Sequence, residues 1–153
     1  YLRMTRKETP ILYSPADTFP IGGCKVLKQS SKDVATVVAA GITLHESMAA
    51  YDELRKGGIH IRVIDLYSIK PIDGASLQKA AEETQNIVTV EDHYAEGGLG
   101  EAVRGAICST PARFRMLAVR KMPRSGTPDE LLDYEDISRR SIVQAVRDII
   151  QTR

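Results

Sequence analysis

Cysteine is scarce here: 153 residues hold only two. Cys24 and Cys108 stand far apart with no CxxC partner, which argues against a zinc site and against the disulfide framework of a small secreted protein. Both thiols are therefore expected to be reduced and buried. Charge of one sign is also missing, since 21 Lys plus Arg face 20 Asp plus Glu. No global basic field exists to bind nucleic acid without sequence preference. No apolar run approaches the roughly 20 residues of a membrane-spanning helix, and the amino terminus lacks the apolar core of a signal peptide. Nucleic-acid and membrane partners are thus disfavoured, and a soluble cytoplasmic protein is expected.

What is present suits one ordinary domain. Tyr1, Leu2, Arg3 and Met4 read like the end of a strand with nothing before it, so a fragment of a longer polypeptide is expected. Residues 1–23 hold three prolines and two glycines after Lys7 and show no sustained period, which reads as linker and loop. A strand is predicted from Cys24 to Gln29. The Ser30 to Asp33 cluster should turn the chain back antiparallel into Val34 to Ala40, giving a hairpin that opens the sheet.

From there, short apolar runs alternate with helical segments, the signature of parallel strands joined by crossover helices. Helices are predicted at Thr43 to Lys56, Gly74 to Glu83 and Gly98 to Cys108. A short one follows at Thr127, and a last one starts near Ser138 with Ile142, Ala145, Val146, Ile149 and Ile150 on one stripe. Strands are predicted at Ile59 to Leu66, Ile87 to Val90 and Phe114 to Val119. Their near-continuous apolar character implies cover on both faces. The expected fold is an α/β three-layer sandwich around a mostly parallel five-stranded sheet with one antiparallel edge strand.

The most informative stretch runs from Val88 to Val103, where a strand enters an acidic-histidine turn and then a glycine-rich helix start. Glu91, Asp92, His93 and Glu96 gather carboxylates about an imidazole at the carboxyl end of a strand, where open α/β sheets tend to place ligands. Such a group could shuttle protons or bind a divalent cation. With no nucleophile or second histidine in the motif, the preferred reading is an ordered turn and a subunit contact. Gly97, Gly98 and Gly100 could cradle phosphate, but Val103 stands where the dinucleotide fingerprint needs a small residue, so a close-packed helix start is favoured. Ser125 lacks a nucleophile elbow. Arg124 could fork onto a carboxylate, the acidic turn being one partner if the two loops meet. A Thr43 cap would account for the chemistry around His45 and Glu46, and His60 is read as an exposed strand opener.

Four segments in order resemble the carboxy-terminal domain of transketolases. They are Gly41 to Glu46, Ile64 to Asp73, the Val90-Glu91-Asp92-His93 strand end with Gly97-Gly98-Leu99-Gly100, and Pro123-Arg124-Ser125-Gly126. The resemblance assigns residues 24–153 to that domain and residues 1–23 to an interdomain linker with the end of the preceding domain. It implies transfer of a two-carbon ketol unit from a ketose phosphate to an aldose phosphate by a homodimer that uses thiamine diphosphate and Mg2+. The family's main catalytic machinery lies outside this domain. This sequence also lacks the Gly-Asp-Gly segment and Asn pair of the diphosphate and metal site, so neither cofactor nor metal is expected on this chain alone. The resemblance makes Glu91, Asp92, His93, Glu96, Gly97, Gly98, Gly100, Arg124 and Ser125 structural or interface residues, with none catalytic. Arg6, in a segment similar to the one that contacts substrate phosphate, is the expected phosphate ligand; Lys7 follows it where the family often has proline.

Asp65 to Asp73 also fits the crossover of a 2-oxoacid dehydrogenase beta subunit, and deoxyxylulose phosphate synthase shares the fold. His93 and the Pro123 to Gly126 segment favour transketolase. Two other readings remain: a stand-alone module holding an anion at Gly97 to Gly100, and the natural second subunit of a split enzyme.

Overall fold

The computed structural model describes residues 8–151. In chain order the elements are β1 (Lys25–Lys28), β2 (Ala35–Ala39), α1 (Ile42–Lys56), β3 (Ile61–Asp65), α2 (Gly74–Thr84), β4 (Asn86–Tyr94), α3 (Leu99–Ala106), β5 (Arg113–Val119), α4 (Pro128–Tyr134) and α5 (Arg139–Gln151). The sheet runs β1-β3-β2-β4-β5, parallel except for β1, which pairs antiparallel with β3.

The predicted opening hairpin is absent. The turn itself forms, with the Ser30 amide and hydroxyl donating to Asp33 at 2.8 and 2.6 Å. Yet β3 separates β1 from β2. Every residue of β3 is buried, and the α1 crossover seats it parallel to β2 in the register Ala35 to Ile61 through Ala39 to Asp65. Only the far edge of β3 is left for β1, so the turn chemistry sets the local bend and the parallel pairing sets the partner.

Apolar side chains fill both faces. On one side Leu44, Ala50 and Leu54 of α1 and Ile142, Val146 and Ile149 of α5 cover Val37, Val63, Val88 and Val90. On the other, Leu77, Ala80 and Ala81 of α2 and Leu99 and Val103 of α3 cover Val38, Ile64 and Ile87. Each full burial of a leucine or isoleucine contributes roughly 1.5–3 kcal/mol, which is what holds the three layers together. Arg62, buried in β3, is neutralised by Glu83 at 2.5 Å, with Asp33 3.9 Å away.

Thr43 is not a helix cap. The N-cap position of α1 is Gly41, with φ 62° and no side-chain cap hydrogen bond. Thr43 is buried in the first turn, and its hydroxyl shares its one proton between the carbonyls of Ala40 at 3.0 Å and Val90 at 2.9 Å. It ties α1 to the middle of β4. The thiols also depart from expectation: Cys108 is exposed and Cys24 half-buried. Burial pushes the Cys24 thiol up to about 11, and its Sγ meets Asp73 at 3.4 Å. His60 is half-buried rather than exposed.

Residues 8–23 form no helix or strand, yet they are clasped to the sheet. The Tyr13 hydroxyl donates to Asp65. Phe19 meets the Tyr13 and Tyr67 rings edge-on at 4.9 and 5.0 Å between centroids. The Lys25 ammonium lies 4.6 Å from the Phe19 ring centre and pairs with Asp17 at 2.6 Å. Such aromatic and cation contacts anchor a strand-free segment where backbone pairing does not.

Candidate functional site

The chain path diverges between β2 and β4. From β2 it passes through α1 on one face to β3, and from β3 it returns through α2 on the other face to β4. The crevice at the carboxyl ends of such strands is where open α/β sheets bind ligands. Two clefts open there. One, of about 880 Å³, is lined by Gly41, Ile42, Glu91, Asp92, His93 and Leu131 among others. The other, of about 540 Å³, reaches Tyr13, His45, Asp65 and Tyr67. Thr9, Ala40, Gly41 and Ile42 line both.

β4 extends through Tyr94, four residues past its predicted end at Val90. Successive side chains on a strand point to opposite faces, so Glu91 and Asp92 part company. Glu91 is buried while Asp92, His93 and Glu96 are exposed. Glu91, Asp92 and His93 still border one cleft, but the buried Glu91 is withdrawn from the exposed Asp92, His93 and Glu96. Among the described residues no three His, Cys, Asp or Glu side chains are placed to hold a metal ion.

Glu91 turns under α3 instead, accepting the amides of Leu99 at 2.6 Å and Gly100 at 2.8 Å. These donors and the helix dipole favour an anion, and the anion is the chain's own. Burial nevertheless raises the Glu91 pKa, opposed by those two amides. The glycines make the approach possible. A Cβ on Gly98 would lie 2.6 Å from the Tyr94 carbonyl and against the Glu91 carboxylate, and one on Gly100 would lie 2.7 Å from Met116. Gly97 sits at φ +70°, a conformation that favours glycine, and its amide donates to Glu101 at 2.7 Å.

His93 bonds through Nδ1 to the Tyr94 carbonyl at 2.8 Å, so Nδ1 carries a proton and Nε2 is left open at the cleft. Arg124 does not reach the acidic turn. Its guanidinium stacks 3.8 Å from the Tyr134 ring centre, and Ser125 beside it is exposed. Arg6 lies outside the described residues.

Residues 22–142 match the family model of the transketolase C-terminal domain. The chain belongs to that family. It is 51% identical over 152 residues to the transketolase-like protein 1 of Bos taurus, covering 98% of this chain and 26% of the relative. It is 49% identical over 152 residues to the transketolase-like protein 2 of Mus musculus, covering 98% and 24%. Thus it spans about a quarter of the length of these curated relatives. Among solved structures, a split-gene transketolase described as an inactive beta4 tetramer superposes with a TM-score of 0.86 at 35% identity, over 92% of this chain and 46% of that one.

Two features of this transketolase C-terminal domain escaped the sequence reading. Tyr13 and Asp65 are 52 residues apart, and nothing local to Tyr13 marks it. Asp65 carried a signal: a carboxylate at the carboxyl end of a strand that is apolar apart from Arg62. Burial raises its pKa, while the Tyr13 hydroxyl, Lys25 and His45 oppose that.

Proposed function

We propose that this chain is the C-terminal domain of a thiamine-diphosphate-dependent transketolase, which moves a two-carbon ketol unit between ketose and aldose phosphates in the cytoplasm. Its part is to support the homodimer and the architecture of the active site rather than to carry the chemistry. The observation that carries this reading is the internal closure of the family motif. Both oxygens of the one buried carboxylate of the acidic turn are engaged by the α3 amides, so those amides are not free to take a phosphate and that carboxylate is not free to take a metal.

Thiamine diphosphate brings carbanion chemistry and needs a metal and donors for its diphosphate, in an oriented, water-poor cleft. Among the described residues no group of His, Cys, Asp or Glu is placed to hold that metal. In this reading the cofactor and Mg2+ bind in the N-terminal and middle domains of the parent, and Arg6 contributes a guanidinium to the substrate phosphate. Residues 1–23 connect those domains to residues 24–153. Glu91, Gly97, Gly98 and Gly100 fix the α3 start, while Asp92, His93, Glu96, Arg124 and Ser125 are exposed residues available for interface contacts.

The test is a ketol-transfer assay on the chain alone and joined to the N-terminal and middle domains of a transketolase relative. Activity is expected only from the joined protein, in dimeric form. Transfer by the isolated chain would overturn the reading.

A further inference from the structure

The two clefts meet at Thr9, Ala40, Gly41 and Ile42, so they form one groove across the carboxyl ends of β3, β2 and β4. Its charge is one-sided. Asp65, Glu91, Asp92 and Glu135 line it, with His45 and His93, whereas among the described residues no Lys or Arg is part of the lining. In a chain so nearly neutral this concentrates negative potential in one concave place. Much of the remaining lining is apolar, including Ile42, Leu44, Leu99 and Leu131. Two apolar lining residues also face solvent, Ile11 at 91% and Ile69 at 41% exposure.

The carboxylates are not equivalent. Glu91 is held by the Leu99 and Gly100 amides, and Glu135 by those of Arg120 and Lys121 at 3.2 and 3.0 Å. Glu91 has both oxygens engaged and lends mainly charge, whereas Glu135 takes both amides on Oε2 and no described residue bonds its Oε1. Asp65 uses one oxygen on Tyr13, and no described residue bonds the other. Asp92 is exposed and receives no hydrogen bond from a described residue, and His93 offers Nε2. Acceptors at both ends, with apolar walls between, match cationic side chains spaced by apolar ones. Among the described lining residues no cation offsets these carboxylates, which disfavours an anionic ligand.

We propose that this groove is a docking surface for a polypeptide segment of a partner protein that carries arginine or lysine between apolar side chains. Arginine suits it best, because its fork satisfies a carboxylate while its stem packs on apolar surface. The inference rests on reading this domain as an assembly element, and it names the chemistry of the contact.

The probe is a capped pentapeptide alternating leucine or isoleucine with arginine, titrated into the full 15N-labelled chain and followed by amide shifts. A second peptide carries glutamate in place of arginine. Saturable shifts are expected at Gly41, Ile42, Asp92 and His93 with the arginine peptide alone, weakening as salt is raised. Asp92→Lys, an exposed change that leaves the fold intact, should weaken binding about tenfold, a loss of roughly 1.4 kcal/mol. Equal binding of both peptides, or no saturable shift at these residues, overturns the proposal. So does concentration-dependent self-association that shifts the same amides without peptide, since the groove would then seat a second copy. If the arginine peptide fails to bind while the chain still assembles with the preceding domains, the charge chemistry falls and the assembly reading stands.

Discussion

Two helix starts, those of α3 and α4, contribute residues to the same large cleft, and a glutamate closes each in a physically opposite way. At α3, Glu91 reaches forward from β4 and is buried beneath the helix, accepting two of its amides. At α4, Glu130 reaches back from within the helix to the Thr127 amide at 2.9 Å and hydroxyl at 2.7 Å, the reciprocal capping box. The first is a long-range tie between layers. The second is a local, fully solvated one. Burial pushes the Glu91 pKa up, whereas the Thr127 hydroxyl and amide pull that of exposed Glu130 down. Equivalent hydrogen bonds therefore carry different energies according to what surrounds them.

The sharpest way to break the contrast is Gly98→Ala. Its Cβ would lie 2.6 Å from a backbone carbonyl, that of Tyr94, and against the Glu91 carboxylate, neither of which can move without opening α3. A loss of about 3 kcal/mol is expected, among the large single-residue effects, read as a fall in the urea midpoint at unchanged slope. Gly100→Ala is the control. It meets only the flexible Met116 side chain and should cost about 1 kcal/mol. Equal losses at the two glycines would show that the Glu91 tie is not what makes Gly98 obligatory.

Next in size is Glu91→Gln, which keeps one acceptor but turns an amide N–H₂ toward a backbone N–H. A loss of about 2 kcal/mol is expected. Its pH dependence sharpens the comparison. A pKa raised by folding contributes stability that is full below the unfolded value and lost as pH rises through the folded one. The gap between wild type and Glu91→Gln should therefore narrow from pH 4 towards pH 7. Glu130, with its pKa lowered, gives stability present above its ordinary value of 4.5 and lost as pH falls through the folded one. The gap between wild type and Glu130→Gln should widen over the same range. Parallel trends in paired thermal melts would remove the distinction between buried and exposed closure.

The two sites were also unequally legible. Thr127, Pro128, Asp129 and Glu130 announce a helix start by residue type alone, because cap, first-turn proline and early acids act within one turn. The glycines after Glu91 announced a close approach but not what approaches. Phosphate, a subunit and a neighbouring strand were all compatible, and the occupant proved to be a side chain eight residues upstream of the first amide it accepts. The alternation of apolar runs and helical stripes gave the three-layer fold, since period and burial are local properties. The partner of β1 was not legible, because the Ser30 to Asp33 turn suits a hairpin and only the seating of β3 beside β2 forbids it. The Tyr13 contact with Asp65 was hidden for the same reason, being decided by the assembled sheet.

The smallest expected effect tests whether the α4 side depends on surface contacts as the α3 side depends on burial. Arg124 is exposed, and its guanidinium lies over the half-buried Tyr134 ring at 3.8 Å, while the Tyr134 hydroxyl reaches the Met122 carbonyl at 3.4 Å. Cation and ring are both wet, so Arg124→Ala should cost only about 0.5 kcal/mol. Much of that loss should return in Arg124→Lys, which keeps the charge but not the flat face. Hydrogen exchange is the suitable measurement, because loosening confined to residues 120–127 raises local exchange without shifting the global midpoint. Faster exchange at the Leu99 and Gly100 amides in the same variant would mean that the two helix starts are coupled across the cleft and act as one unit.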